Sequence, residues 1–220
     1  MEDRDDAHAI SDRQSLGEEI ANSITHSIGT LLSVAAAVLL ITFSSQQRDA
    51  WRIVGFSIYG AALIFLYITS TLYHSFSGRS VKRFFRKLDH AAIFLLIAGT
   101  YTPVTLILLR ESWWGWILLG SIWLMAICGL VLNFIFFGKL RAFSVVFYLV
   151  MGWLAVVAFK PITEAAPVGF IIWLITGGIF YSLSVVFYGW RKMPYHHTVF
   201  HLLILAGSFS HFFGFLKYLT

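Results

Sequence analysis

The sequence has few charged residues and a single cysteine. Of its 220 residues, 12% are charged and 58% are hydrophobic, whereas soluble domains have about 25% charged residues. This composition excludes an ordinary soluble domain and indicates an integral membrane protein. Cys128 lies inside an apolar run, so an intramolecular disulfide and a zinc site built on thiolates are both excluded. Any metal site must therefore use histidine and carboxylate ligands.

Long apolar runs, bounded by charged or turn residues, recur along the chain. A helix needs about 20 apolar residues to cross a hydrocarbon core of about 30 Å. Runs of about this length cover residues 25–44, 53–74, 90–109, 113–135, 143–160, 167–188 and 197–216. The polar–apolar alternation of membrane β-strands is absent from the sequence. We therefore predict an all-α, seven-transmembrane-helix bundle that forms a single domain over 18–220, preceded by a short, flexible polar tail over 1–17.

The basic residues predict how the bundle is oriented. One set of connections carries eleven of the 16 Lys and Arg residues: Arg4, Arg13, Arg79, Lys82, Arg83, Arg86, Lys87, Lys139, Arg141, Arg191 and Lys192. The opposite side carries Arg48, Arg52, Arg110, Lys160 and Lys217. The positive-inside rule then places the N-terminus in the cytoplasm and the C-terminus outside the cytoplasmic membrane. Because these charges lie in short segments rather than along one soluble face, we predict no nucleic-acid partner.

Polar residues inside three of the runs occur at matching positions. His197 and His201 are four residues apart and share one helix face. The second run ends in STLYH, where Ser70 and His74 have the same spacing, and the third opens at LDH with Asp89. In the predicted topology all five residues lie at the cytoplasmic end of the bundle. The sequence thus predicts that three helices bring polar residues into one layer.

Three imidazoles with an open fourth position form the arrangement in which zinc binds and activates a water molecule. A structural zinc normally has four protein ligands, so the predicted site is catalytic or sensing. Asp89 could ligate the metal directly or hold the metal-bound water and take its proton; we favour the second role. Ser70 could supply a supporting hydrogen bond. The alternative for Asp89 is a solvated carboxylate at a helix end, beside Arg86 and Lys87.

These motifs carry a family resemblance. The SxxxH of the second run, the Asp that opens the third and the HxxxH of the last resemble the superfamily of hemolysin III proteins, progestin and adipoQ receptors and alkaline ceramidases. The stretches EEIANSITHSIG and HTVFHLLILAGSFSHFFG are most similar to the bacterial hemolysin III branch. The resemblance implies a seven-helix bundle with one zinc ion per chain, and hydrolysis of ceramide-like lipid amides. It also implies that His74, His197 and His201 are the ligands, that Asp89 holds the zinc-bound water, and that Ser70 belongs to the active-site shell.

Four further polar residues have open roles. His211 lies ten residues beyond His201, about 15 Å along a helix, so it cannot share that metal, and we expect a buried hydrogen bond between helices. Glu18, Glu19 and His26 lie at the start of the first helix, at the depth of the predicted site. They could line the mouth of the site or bind lipid head groups, or they could cap the helix at the interface.

Three functions are compatible with this sequence. The leading one is a zinc-dependent hydrolase of a lipid amide or ester, in which membrane lipid is the substrate. The second is a non-enzymatic receptor or regulator of membrane state, in which lipid is a ligand and zinc braces the helices. The third is a cytolytic protein, although no run shows a polar stripe that could line a pore. The sequence does not specify an oligomeric state.

Overall fold

A computed structural model describes residues 14–220, and within them the chain forms helices and no strands. Seven segments of this part of the chain are long and apolar enough to cross a membrane, which confirms the predicted fold class. The tail predicted over 1–17 falls mostly outside the described residues, and Leu16 already begins the first helix.

Eight α-helices make up the seven spans. They are α1 (Leu16–Gln46), α2 (Ala50–Ser75), α3 (Arg79–Pro103), α4 (Trp113–Ile135), α5 (Arg141–Gly152), α6 (Phe159–Ala165), α7 (Val168–Gly189) and α8 (His196–Tyr218). A π-helical turn, Val104–Leu108, extends α3 beyond Pro103. The fifth span consists of α5, a 3-10 turn over Leu154–Ala158 and α6.

The first helix begins nine residues before the apolar run that predicted it. Ser15 caps it in a capping box, because Glu18 N–H donates to Ser15 Oγ over 3.2 Å and Ser15 N–H donates to Glu18 Oε2 over 3.0 Å. A capping box satisfies backbone donors that the first helical turn leaves unpaired. Polar residues therefore extend α1 past its apolar core.

The basic connection predicted between the second and third spans is helical. Residues 79–90 form the first three turns of α3, so Asp89 lies well inside a helix rather than opening one. Arginine, lysine and phenylalanine are compatible with a helix, and nothing in this stretch breaks one. One continuous helix, α3, therefore carries both the basic residues of this stretch and Asp89 of the predicted site.

The helices nearest the predicted site pack closely. α2 contacts both α1 and α3, and α8 contacts α1 and α7. At Gly29 of α1, a Cβ atom would lie 2.5 Å from the ring of Tyr67 on α2. Small residues of this kind let transmembrane helices approach closely. The fifth span is less embedded, with only 11% of its apolar stretch buried against 72% for the third.

Candidate metal centre

Three buried histidines converge between the end of α2 and the start of α8. His74 lies in the last turn of α2, and His197 and His201 lie in the first two turns of α8. One ring nitrogen from each lies within 4.8 Å of the other two, and the three residues are 4%, 9% and 1% exposed. This group could hold a metal ion. The fold thus brings together the three residues that the sequence predicted as metal ligands.

The nitrogens of this cluster fit a metal ligand set. His74 Nε2, His197 Nε2 and His201 Nδ1 are buried and have no hydrogen-bond partner among residues 14–220. Buried polar atoms nearly always have a partner in folded proteins, and unpaired imidazole nitrogens are the ligand atoms that histidines offer to zinc. The donor chemistry of the site therefore matches a divalent transition metal.

The other ring nitrogen of His74, Nδ1, contacts a carboxylate. Glu19 of α1 places Oε2 2.7 Å from His74 Nδ1 and accepts a hydrogen bond of 2.7 Å from Lys82 Nζ through Oε1. When His74 Nδ1–H donates to Glu19, the ring is in the tautomer that leaves Nε2 with a free lone pair. Glu19 therefore fixes both the orientation and the tautomer of His74, and it ties α1 to α2 and α3.

The two adjacent glutamates at the start of α1 have different roles. Glu18 belongs to the capping box and also accepts a 2.7 Å hydrogen bond from the backbone N–H of Tyr195. Glu19 contacts His74 instead. Of the alternatives open from sequence, the structure supports both capping and a place in the cavity wall for Glu18, and a contact with His74 behind the cavity for Glu19. Consecutive helical residues point about 100° apart, and only the packing of α1 decides which one faces inward.

A large cavity reaches the histidines from one side. Its volume is about 750 Å³, and its walls include His197, His201, Ser70 and Asp89. Beyond them the walls become mostly apolar, with contributions from Leu66, Ile93, Ile97, Val104, Ile171 and Ile204. His74 is not among the lining residues. The cluster therefore has a supported side, formed by Glu19 and Lys82, and an open side that faces the cavity.

The predicted supporting residues both lie on the open side. Ser70 is 1% exposed, and its hydroxyl interacts with the carboxyl group of Asp89. Asp89 of α3 is partly buried and lines the cavity beside it. Their roles in catalysis stay predictions.

A fourth histidine lies against the cluster. The ring of His26 stacks on the ring of His201, with centroids 3.5 Å apart and planes 16° apart. The edge of Tyr67 meets His26 at 5.0 Å between centroids. Sequence reasoning placed His26 at this depth without assigning its contact, because that contact depends on the rotation of α1 about its axis.

A further histidine of α8, His211, lies outside the cluster. His211 is buried, and its Nε2–H donates a 3.1 Å hydrogen bond to the carbonyl of Leu174 on α7. This bond between α8 and α7 confirms the role predicted for it.

Known proteins resemble the chain along nearly its whole length. A sequence model described as Haemolysin-III related matches residues 14–212. Hemolysin-3 of Bacillus cereus is 44% identical over 205 residues, which is 93% of each chain. The Hemolysin-3 homolog of Bacillus subtilis is 44% identical over 202 residues, covering 91% of this chain and 94% of the relative. The human monocyte to macrophage differentiation factor is 31% identical over 216 residues, covering 92% and 84% of the two chains.

Proposed function

The chain belongs to the haemolysin-III-related family of integral multi-pass membrane proteins, and from this premise we propose that it is a zinc-dependent hydrolase of a lipid amide or ester. The observation that carries the proposal is the position of the histidine cluster. Three buried imidazoles with unpaired nitrogens lie together, and two of them, His197 and His201, line a long cavity that also contains a carboxylate and a hydroxyl. A metal-assisted hydrolase needs metal ligands, access for the substrate and a group that can transfer protons.

Each residue around the cavity has its own role in the proposed reaction. His74, His197 and His201 would hold the ion, and zinc bound there would supply the Lewis acidity that polarises a carbonyl and activates water. Asp89 orients the attacking water and takes its proton, while Ser70 orients the Asp89 carboxylate. Water adds to the carbonyl carbon, the bond to the leaving nitrogen or oxygen breaks, and Asp89 returns the proton to that leaving atom.

The shape of the cavity supports a lipid as the substrate. Tyr188 and Ile171 both line it, and their 17-residue separation on α7 corresponds to about 25 Å along the helix. The cavity therefore runs along most of the bundle, from the histidines into an apolar region. An extended acyl chain in that region would place its carbonyl end beside the histidines.

A second function has one observation in its favour. Glu19 joins α1 to His74 of α2 and Lys82 of α3, so a metal bound by α2 and α8 would complete a connection among four helices. In a receptor or regulator of membrane state, zinc would act only as this brace. The cavity beside the cluster is what favours the hydrolase, because a brace requires no access.

The test is fatty-acid release from ceramides and phospholipids in nanodiscs, with zinc measured by elemental analysis on the same samples. Wild type should hold about one zinc per chain and release fatty acid from at least one lipid. The His197→Ala, His201→Ala double variant should lose both the metal and the activity. Equal zinc in the two proteins would refute the metal site, and zinc-loaded wild type that hydrolyses no lipid would favour the brace.

A further inference from the structure

His26 is a buried polar group that the proposed chemistry does not use. It is 3% exposed, and neither of its ring nitrogens has a hydrogen-bond partner among residues 14–220. It lines the same cavity as Ser70 and Asp89. Placing two unpaired nitrogens in an apolar interior is unfavourable unless something that enters the cavity pairs with them.

The stacking geometry shows that His26 does not share the metal. An ion bound to an imidazole lies close to the plane of that ring, about 2.0–2.1 Å from the nitrogen. The planes of His26 and His201 are nearly parallel, and their centroids are 3.5 Å apart. An ion in the plane of His201 is therefore too far from the plane of His26 to be bound by both. The partner of His26 is a separate group beside the metal position.

The chemistry of a neutral imidazole defines that partner. One of its nitrogens donates a hydrogen bond and the other accepts one. A hydroxyl can pair with whichever nitrogen faces the cavity, either as donor or as acceptor, whereas an ester oxygen can only accept and a hydrocarbon can do neither. Because His26 lies against a metal ligand, its partner on a bound lipid must lie within a few bonds of the carbonyl that reaches the metal.

We propose that His26 is a head-group subsite that binds a hydroxyl of the lipid next to the scissile carbonyl and so selects hydroxylated lipid amides over those without a hydroxyl. The inference rests on the proposed function for the identity of the ligand as a lipid amide. It concerns binding, so it can be measured without turnover.

The probes are two amides with the same acyl chain, an N-acyl-2-aminoethanol and the matching N-acyl-ethylamine, which differ by one hydroxyl. Their affinities for zinc-loaded protein are measured by calorimetric titration in detergent. Wild type should bind the hydroxylated amide about tenfold more tightly, as expected for one hydrogen bond to an otherwise unpaired buried group.

Two variants separate hydrogen bonding from packing. His26→Phe retains an aromatic ring against His201 and Tyr67 but cannot form hydrogen bonds, so it should bind both amides with the same, weaker affinity. His26→Asn retains a donor and an acceptor without the ring and should keep part of the preference. Zinc content, measured on each sample, checks that the cluster is intact, and if His26→Phe loses zinc the comparison rests on wild type and His26→Asn.

Several results would overturn the proposal: equal affinities of wild type for the two amides, binding of neither, or an unchanged preference in zinc-loaded His26→Phe. Fatty-acid release from the same amides distinguishes this failure from failure of the hydrolase. A binding preference without release from these amides or from the ceramides and phospholipids refutes the hydrolase and retains the subsite, whereas release without a preference does the opposite.

Discussion

At the scale of single residues, the side chains around the histidine cluster divide into those that support His74 from behind, such as Glu19, and those that face the cavity. Asp89 is on the cavity side. Asp89→Asn should leave zinc bound, because the three imidazoles remain, and should reduce hydrolysis about 10²–10⁴-fold, the usual contribution of general acid–base catalysis. Fatty-acid release and zinc content measured on the same preparation test this. Unchanged activity in the zinc-loaded variant would contradict the role of Asp89.

Glu19 is on the supporting side, and its effect should appear in metal affinity. Glu19→Gln removes the charge that holds His74 Nδ1 and pairs with Lys82. The zinc dissociation constant should rise about 10–100-fold, as is typical when a carboxylate behind a ligating histidine is lost. Competition with a chromophoric chelator measures it.

The neighbouring Glu18 provides the matched control. Glu18→Gln can keep the capping-box bond to Ser15, because glutamine also serves at that position, and it should leave zinc affinity close to that of wild type. Equal losses in the two variants would mean that Glu19 acts through the stability of α1 rather than through His74.

At the scale of helices, the close approach of α1 to α2 is what brings His26 and Glu19 to the cluster. Gly29→Ala adds a methyl group 2.5 Å from the ring of Tyr67, so the helices must separate or the ring must move. Such overpacking costs about 1–3 kcal/mol. The melting temperature in detergent should fall.

Gly120 of α4 is the control for this substitution. An added Cβ there has no atom within 4 Å, so Gly120→Ala should leave the melting temperature unchanged or raise it slightly. A melting temperature of Gly29→Ala equal to that of Gly120→Ala would show that the contact at Tyr67 does not limit stability.

The sequence predicted the helices better than their ends, for a physical reason. Hydropathy detects the apolar part of a helix, but it gives no signal for polar helical turns outside the hydrocarbon layer. The missed start of α1 had a readable signal, since Ser15 and Glu18 have the spacing of a capping box. The helical turns through Lys82 and Arg86 had none beyond helix propensity, which is a weak signal on its own.

The sequence predicted the depth of the site residues in the membrane, but it did not predict how each helix is rotated about its own axis. Antiparallel spans of similar length bring His74, Asp89 and His197 to one layer. The clustering of the histidines could therefore be predicted from their spacing and from the topology. The contacts of Glu19 and His26 depend on how α1 turns about its axis against α2 and α8, and that angle is set by close packing such as Gly29 against Tyr67. A single sequence does not encode that angle in any local pattern.

At the scale of the whole molecule, the distribution of charge predicts which face of the membrane the histidine cluster approaches. By sequence, eleven basic residues are predicted on the side of the cluster and five on the other. A tag after Thr220 should be labelled from outside in intact cells, and a tag before Met1 should not. Permeabilised cells, in which both tags must react, provide the control. Labelling of the N-terminal tag in intact cells would reverse the orientation and move the cluster to the outer leaflet.

Lys82 connects the basic turns of α3 to the histidine cluster through Glu19. Its side chain is 27% exposed and belongs to the basic turns of α3, while its ammonium group is held by the same carboxylate that holds His74. A lipid phosphate that binds Lys82 competes with Glu19 for it, and Glu19 then has one partner fewer. Two hydrogen bonds therefore connect a partly exposed basic side chain to His74, one of the three residues that could hold a metal ion, and we expect metal affinity to vary with the anionic lipid content and the ionic strength of the membrane.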